Sequence, residues 1–249
     1  MPTPESITLV AAVFLLAGWV KGVVGMGLPT VAMGALGLVM APVHAAALLV
    51  VPSLVTNVWQ FATGPSKRVI ARRLASMMAF VCLGTTLGIQ FLTSGSSRWP
   101  SVALGAVLAV YALAGLFLPR LAVAPGTERH LSPVVGGITG ILSGATGVFV
   151  VPAVPYLSAL RLDKDELVQA LGLSFTGSTV ALAVALGSSG RYPTSVFLAS
   201  LAAVVPALIG MFAGQRMRDR IEPVAFRKWF FIAMLAVGGY MVARGLIAR

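Results

Sequence analysis

The chain has 249 residues, of which 58% are hydrophobic and 10% are charged, and its formal net charge is +11. No soluble core could absorb this much apolar surface, so the composition excludes a soluble globular protein and predicts a polytopic membrane protein. The basic excess then belongs beside anionic lipid headgroups, and we expect membrane lipid as a partner and no nucleic acid.

In chain order, the sequence contains two interrupted apolar regions and six uninterrupted ones. The interrupted regions, 7–40 and 132–160, contain Gly, Pro and small polar residues. The N-terminal MPTPESITLV lacks the basic start of a signal peptide, so we expect it to begin an uncleaved membrane segment. The uninterrupted runs each have about the 20 residues that a bilayer requires. They are 45–63, 74–92, 100–118, 166–186, 194–214 and 229–247.

Residues that form disulfides or bind metals are scarce. Cys82 is the single cysteine, so no intrachain disulfide can form, and its apolar surroundings predict a buried thiol. His44 and His130 are the two histidines, too few for a zinc site. We therefore predict no metal and no cofactor.

The chain resembles itself when it is overlaid with an offset of 118. Gly18 then falls on Gly136, Gly22 on Gly140, and Thr56 on Ser174. Further along, GTTLG at 84–88 falls on PALIG at 206–210, with an offset near 122. This pattern is typical of repeat-built transporters and predicts two repeats, 1–124 and 125–249, in one membrane domain. Chance similarity between apolar helices is the alternative.

Loop charge indicates how the repeats are oriented. If each interrupted region crosses the membrane once, Lys and Arg divide nine against eight, contrary to the positive-inside rule. If each is a re-entrant hairpin, thirteen share one side and four lie opposite. The four are Arg98, Arg191, Arg244 and Arg249, and the thirteen are Lys67, Arg68, Arg72, Arg73, Arg120, Arg129, Arg161, Lys164, Arg216, Arg218, Arg220, Arg227 and Lys228.

The charge split predicts an all-α membrane fold of two inverted repeats, each a re-entrant helical hairpin plus three transmembrane helices. The arms 7–20 and 30–40 are each too short to cross about 30 Å, which agrees with a hairpin. The chain would lie in the bacterial inner membrane with both termini periplasmic. A single kinked span in each interrupted region is the alternative.

Each interruption is expected to place free backbone amides inside the bundle, where the two breaks should meet. Unpaired amides are tolerated at this depth only around a polar cavity, and helix N-termini attract anions. The first break offers Gly25, Met26, Gly27 and Leu28, and the second offers Ser143, Gly144, Ala145, Thr146 and Gly147. The pairs Gly18/Gly22, Gly84/Gly88, Gly136/Gly140 and Gly210/Gly214 are expected to serve helix packing instead.

Lys21 is the one Lys or Arg placed inside an interrupted segment. A charge at this depth is costly and is by default functional, although a lysine that snorkels to the surface is the alternative. Hydroxyls and amides on the following spans would complete an anion site. The predicted substrate-binding residues are Lys21, Gly25, Met26, Gly27, Thr30, Thr56, Asn57, Gln60, Ser143, Gly144, Thr146, Gly147, Ser174 and Ser178.

All seven acidic residues lie in termini, loops or span ends, which argues against a carboxylate proton relay in the membrane. Neither an ATP-binding P-loop nor an H-E-x-x-H or G-x-S-x-G motif occurs, so we predict that the protein is not an enzyme.

The segments GWVKGVVGMGLPTV, from Gly18, and GITGILSGATGVFVVP, from Gly137, resemble the paired Gly-rich motifs of the sulfite exporter TauE/SafE family. Leu28 and Pro29 interrupt the first motif's triple glycine, and Ala145 and Thr146 interrupt the second. The likeness extends over nearly the whole chain.

This resemblance implies a secondary transporter, usually an exporter, of sulfite, sulfoacetate or another organosulfonate or sulfur oxyanion across the inner membrane. Alternating access is the expected mechanism, and homodimer formation is left open. A passive channel for a small solute and a non-transporting membrane scaffold are the alternatives.

Overall fold

The computed structural model describes residues 4–94, 98–118 and 122–247, which fold into twelve α-helices and a short 3-10 turn. The first six helices are α1 (Pro4–Val24), α2 (Leu28–Gly37), α3 (Pro42–Thr63), α4 (Lys67–Arg73), α5 (Ala75–Leu92) and α6 (Arg98–Phe117). The other six are α7 (Pro125–Thr146), α8 (Ala153–Ala159), α9 (Lys164–Ser188), α10 (Thr194–Ala202), α11 (Val204–Met217) and α12 (Pro223–Ile247).

Seven segments in the described residues are long and apolar enough to cross a membrane. Six are the predicted spans, which correspond to α3, α5, α6, α9, α10 with α11, and α12. The seventh, Glu5–Val24, lies in the first interrupted region. The prediction of an all-α polytopic membrane protein is therefore confirmed.

The packing of α1 on α11 is repeated by the packing of α7 on α5. A Cβ at Gly22 would lie 2.2 Å from the Met211 carbonyl oxygen. A Cβ at Gly140 would likewise lie 2.3 Å from the Val81 carbonyl oxygen. The helices therefore meet backbone to backbone, as close contacts between small residues permit. All four predicted packing pairs of glycines lie at these two contacts, which confirms their assignment.

The same contacts correct the alignment of α5 with α11. A Cβ at Gly84 would lie 3.0 Å from the Cα of Gly140, and a Cβ at Gly214 would lie 3.0 Å from the Cα of Gly22. Gly84 thus corresponds to Gly214, 130 positions later, and the predicted offset near 122 is wrong. Helix α9 has 25 residues against 22 in α3, which accounts for three of the twelve positions between the offsets of 118 and 130. Small apolar residues also match in several registers, so sequence alone does not fix the alignment.

Helices at corresponding positions in the two halves run antiparallel to each other. Ser53 in α3 contacts Thr179 in α9, whereas Gly172 lies against Phe61. In the other pair, Gly105 of α6 lies against Gly238 of α12, and Gly245 lies near the start of α6. By contrast, α1 runs parallel to α11 and α5 runs parallel to α7, because their contact positions increase together.

These directions give the bundle two ends, which we call end A and end B. End A contains the starts of α1, α3, α6 and α10, and end B contains the starts of α4, α7, α9 and α12. The first interrupted region therefore begins and finishes at end A, and the second begins and finishes at end B. The predicted length of the arm 7–20 was wrong, because α1 has 21 residues, about 31 Å at 1.5 Å per residue; α7, at the corresponding place in the second region, has 22.

Candidate anion-binding site

Lys21 lies in the last turn of α1, and its side chain points into the bundle. Only 3% of its surface is exposed. Its ammonium donates hydrogen bonds to the Thr56 hydroxyl, at 3.2 Å, and to the Asn57 side-chain carbonyl. The alternative of a lysine that snorkels to the surface is therefore wrong. An ammonium has three protons, so one remains for a further acceptor.

A chain of hydrogen bonds continues from Lys21 across the α3–α9 contact. The Asn57 amide donates to the Ser53 hydroxyl at 2.9 Å, and this hydroxyl lies 3.1 Å from that of Thr179. Thr179 donates its one proton to the Phe175 carbonyl at 2.6 Å, so Ser53 is the donor to Thr179. The Lys21 site is thus connected to the helix that corresponds to α3 in the second half.

Gln60 holds the first break in place. Its amide nitrogen donates to the carbonyls of Gly25 and Val168, each at 2.8 Å, and these two bonds use both of its protons. Gly25 and Gly27 have φ values of +81° and +106°, which L side chains rarely adopt. The Gly25 amide donates to the Lys21 carbonyl at 2.7 Å. It was predicted to be free, and that prediction is wrong. Met26 accepts a hydrogen bond on sulfur from Tyr111.

The second break uses more of its polar groups internally. The Gly147 amide donates to the Ser143 carbonyl, and the Thr146 hydroxyl donates to the Leu142 carbonyl. Ser143 donates to the Gly140 carbonyl at 2.9 Å. Gly144 lies in the α5–α7 contact, where a Cβ would be 2.4 Å from the Thr85 carbonyl oxygen. It therefore contributes to helix packing, as Gly140 does.

The two breaks do not meet, contrary to the prediction. Gly25 lies beside Gln60, whereas a Cβ at Gly147 would be 3.2 Å from the Ala46 side chain. Ala46 and Gln60 both belong to α3, and their 14-residue separation is about 21 Å along the helix. The breaks are separated because α1 and α7 are full-length helices. The predicted residues therefore form no single cluster. The structure brings together Lys21, Thr56 and Asn57, with Gly25 and Gln60 beside them.

Three predicted site residues carry buried hydroxyls without a hydrogen-bond partner. They are Thr30, Ser174 and Ser178, each with 0% exposure. A buried hydroxyl without a partner is costly and is uncommon in native proteins. Thr139 on α7, which is not among the predicted site residues, also has a buried hydroxyl without a partner in the described residues. An overlay at the offset of 118 places it on Lys21 and could have identified it.

The Lys21 charge has no acidic partner within the described residues, where the one salt bridge joins Arg73 to Glu128. Those residues also contain no group of three or more His, Cys, Asp or Glu side chains that could hold a metal ion. A buried cation is stable only when its charge is compensated. The site therefore has the charge and the free donor that a small anion requires.

A cavity of about 470 Å³ opens at end A, between the end of α2, the start of α6 and the end of α12. Arg98 and Arg244 line it. Arg98 donates to the Gly245 carbonyl at 2.8 Å, and Arg244 donates to the Leu38 carbonyl at 3.2 Å. Helix α2 leads from this cavity towards the break that follows Lys21.

The family model described as sulfite exporter TauE/SafE matches residues 10–241, nearly the whole chain. No curated protein matches the chain, and no solved structure does. The match covers five of the six predicted spans and most of the sixth, together with the second interrupted region and nearly all of the first. The chain is therefore a multi-pass membrane protein that belongs to the sulfite exporter TauE/SafE family of membrane transporters.

Proposed function

We propose that the protein is a secondary transporter that exports a small anion across the bacterial inner membrane. The substrate would be sulfite, sulfoacetate or another organosulfonate or sulfur oxyanion, and the anion would bind at Lys21. One observation carries this proposal: the Lys21 ammonium is buried among neutral partners and lacks a carboxylate in the described part of the chain. A bound anion would compensate its charge and accept its remaining proton.

The proposed mechanism is alternating access between two inverted repeats. Its support is that α3 and α9, and likewise α6 and α12, run antiparallel, as an in-plane pseudo-two-fold axis requires of corresponding helices. Lys21 lies level with Asn57, in the middle of the α3–α9 contact and therefore close to this axis. The closely packed pairs α1–α11 and α5–α7 each combine a helix of the first half with a helix of the second. Each body that moves during transport would therefore contain helices from both halves.

Purified protein is expected to bind sulfite or an organosulfonate in preference to a carboxylate of similar size. A thermal-shift screen against sulfite, sulfate, thiosulfate, sulfoacetate, taurine and simple carboxylates would identify the ligand. Flux of that ligand into proteoliposomes should saturate and should be reduced by competing anions. Flux that rises linearly with concentration would indicate a channel, and the absence of both binding and flux would indicate a scaffold.

End A is proposed to face the periplasm, with both termini, and end B the cytoplasm. Most described Lys and Arg side chains lie near end B, as the positive-inside rule requires of a cytoplasmic face. A membrane-impermeant maleimide added to intact spheroplasts should label Ser94→Cys and Ser189→Cys but not Val69→Cys or Val224→Cys. The background must be Cys82→Ser, because Cys82 is exposed on α5 and not buried as predicted. The opposite labelling pattern would reverse the orientation.

A further inference from the structure

The second half contains a counterpart of the Lys21 site in which the cation is missing. The contacts of Gly18 and Gly22 with α11 match those of Gly136 and Gly140 with α5, which fixes the offset between α1 and α7 at 118. At this offset Lys21 corresponds to Thr139. The same offset in the sequence aligns Thr56 with Ser174 and Gln60 with Ser178.

The hydroxyls at these three counterpart positions are all buried and lack partners. Thr139, Ser174 and Ser178 are each 0% exposed, and none has a hydrogen-bond partner in the part of the chain that the structure describes. Ser174 and Ser178 are four residues apart and share one face of α9. In the first half Lys21 contacts Thr56, and in the second half α7 packs on α9, while the sequence offset of 118 pairs Thr139 with Ser174.

The counterpart site offers oxygen atoms where the first site offers an ammonium. In the first half, side-chain oxygens of Thr56 and Asn57 accept hydrogen bonds from the Lys21 cation. In the second half, a threonine side chain replaces the lysine, and within the described residues no basic side chain donates to the three hydroxyls. The Phe149 ring, in the non-helical segment after α7, packs against the ring of Phe175, the residue after Ser174, with centroids 6.2 Å apart.

We infer that Thr139, Ser174 and Ser178 form a binding site for Na⁺, which occupies the place that the Lys21 ammonium occupies in the first half. Neutral hydroxyl and carbonyl oxygens suit this ion, and in repeat-built transporters unwound backbone and helix C-termini coordinate Na⁺. Na⁺ accepts lone pairs from several oxygens at once, which would satisfy the three hydroxyls together.

This inference rests on the proposed anion site, because the two charges would stabilise each other. With Lys21 already buried, a second cation without a carboxylate is unfavourable until an anion is present. The anion and Na⁺ should therefore bind cooperatively, and each should raise the affinity for the other by the same factor.

The experiment measures ²²Na⁺ binding and sulfite binding on the purified full-length protein, in NaCl and in choline chloride of equal ionic strength. We expect saturable ²²Na⁺ binding in the presence of sulfite, and sulfite affinity about 5- to 150-fold higher in Na⁺ than in choline. The double variant Thr139→Val with Ser174→Ala should lower Na⁺ affinity at least about tenfold and remove the Na⁺ dependence of sulfite binding.

Thr176→Val is the matched control, because the Thr176 hydroxyl on the same helix already donates to the Gly172 carbonyl at 2.7 Å. It should bind Na⁺ as the wild type does, and circular dichroism should show that all variants are folded. Sulfite binding of equal strength in Na⁺ and choline, without saturable ²²Na⁺ binding, would overturn the Na⁺ site and leave the anion site intact. Binding of Na⁺ without binding of any anion would instead overturn the proposed function.

Discussion

Lys21→Met is expected to lower substrate affinity by about 10- to 150-fold while the protein remains folded. Methionine keeps the length and apolar stem of the side chain but removes the charge. A hydrogen bond to a charged group contributes roughly 1.5–3 kcal/mol, which corresponds to this loss of affinity. Folding should persist, because the variant no longer has to bury an ammonium that has only neutral partners.

Asn57→Asp tests the same charge by a different route. The substitution is nearly isosteric and places a carboxylate where the Asn57 carbonyl now accepts from Lys21. The resulting ion pair would neutralise the site internally and compete with the substrate anion, so affinity should fall to a similar extent. Lys21→Arg is not expected to restore binding, because a broad guanidinium does not fit the space of an ammonium between Thr56 and Asn57.

Both variants are measured by isothermal titration of the preferred anion into detergent-solubilised protein. Thr63→Ala is the control, since the Thr63 hydroxyl is at the exposed end of the same helix and donates to the Trp59 carbonyl. It should bind the anion with wild-type affinity. If Lys21→Met also binds with wild-type affinity, Lys21 is not the anion's partner.

Gly210→Val is expected to abolish correct folding of the bundle. A Cβ at Gly210 would lie 2.0 Å from the Leu15 carbonyl oxygen and 2.8 Å from the Trp19 amide nitrogen. Both are backbone atoms in α1, so no rotamer change relieves the clash and the helices must separate. Overpacking costs about 1–3 kcal/mol even where side chains can move, and more is expected where the backbone must move.

Gly239→Ala in α12 is the matched control, because a Cβ there would have no neighbour within 4 Å. Alanine is also the better helix former, so this variant should be as stable as the wild type or slightly more stable. Fluorescence-detected size-exclusion chromatography and thermal melting measure both outcomes. A monodisperse Gly210→Val protein with wild-type melting behaviour would contradict the close contact between α1 and α11.

Apolar run length and composition predicted the six plain spans, because a bilayer sets a minimum length that sequence displays directly. The packing role of the glycine pairs was equally predictable, since spacings of four place small residues on one helix face. The inward-facing Lys21 followed from the cost of a charge at that depth.

The positions of the breaks relative to each other could not be predicted. Hydropathy showed where helices are interrupted but not that α1 continues through Lys21 to Val24, because one lysine and several glycines do not end a packed helix. Asn57 and Thr56 were expected near Lys21, but the bonds from Asn57 through Ser53 to Thr179 depend on the α3–α9 contact. The offset of 130 depends on the same kind of tertiary contact.

The pairing of α1 with α11 has a consequence for biosynthesis. Trp19 and its contact Met217 are 198 residues apart, so α1 is among the first helices synthesised and among the last to be completed by its neighbour. At a synthesis rate of about 5–20 residues per second, α11 is synthesised roughly 10–40 s after α1. The hydrogen-bond partners of the Lys21 ammonium are synthesised much sooner, because Thr56 and Asn57 follow within 36 residues. The early hydrogen bonds from Lys21 to α3 would thus hold the first helix in the membrane, with two of the ammonium protons already bonded, until the end of the chain is synthesised.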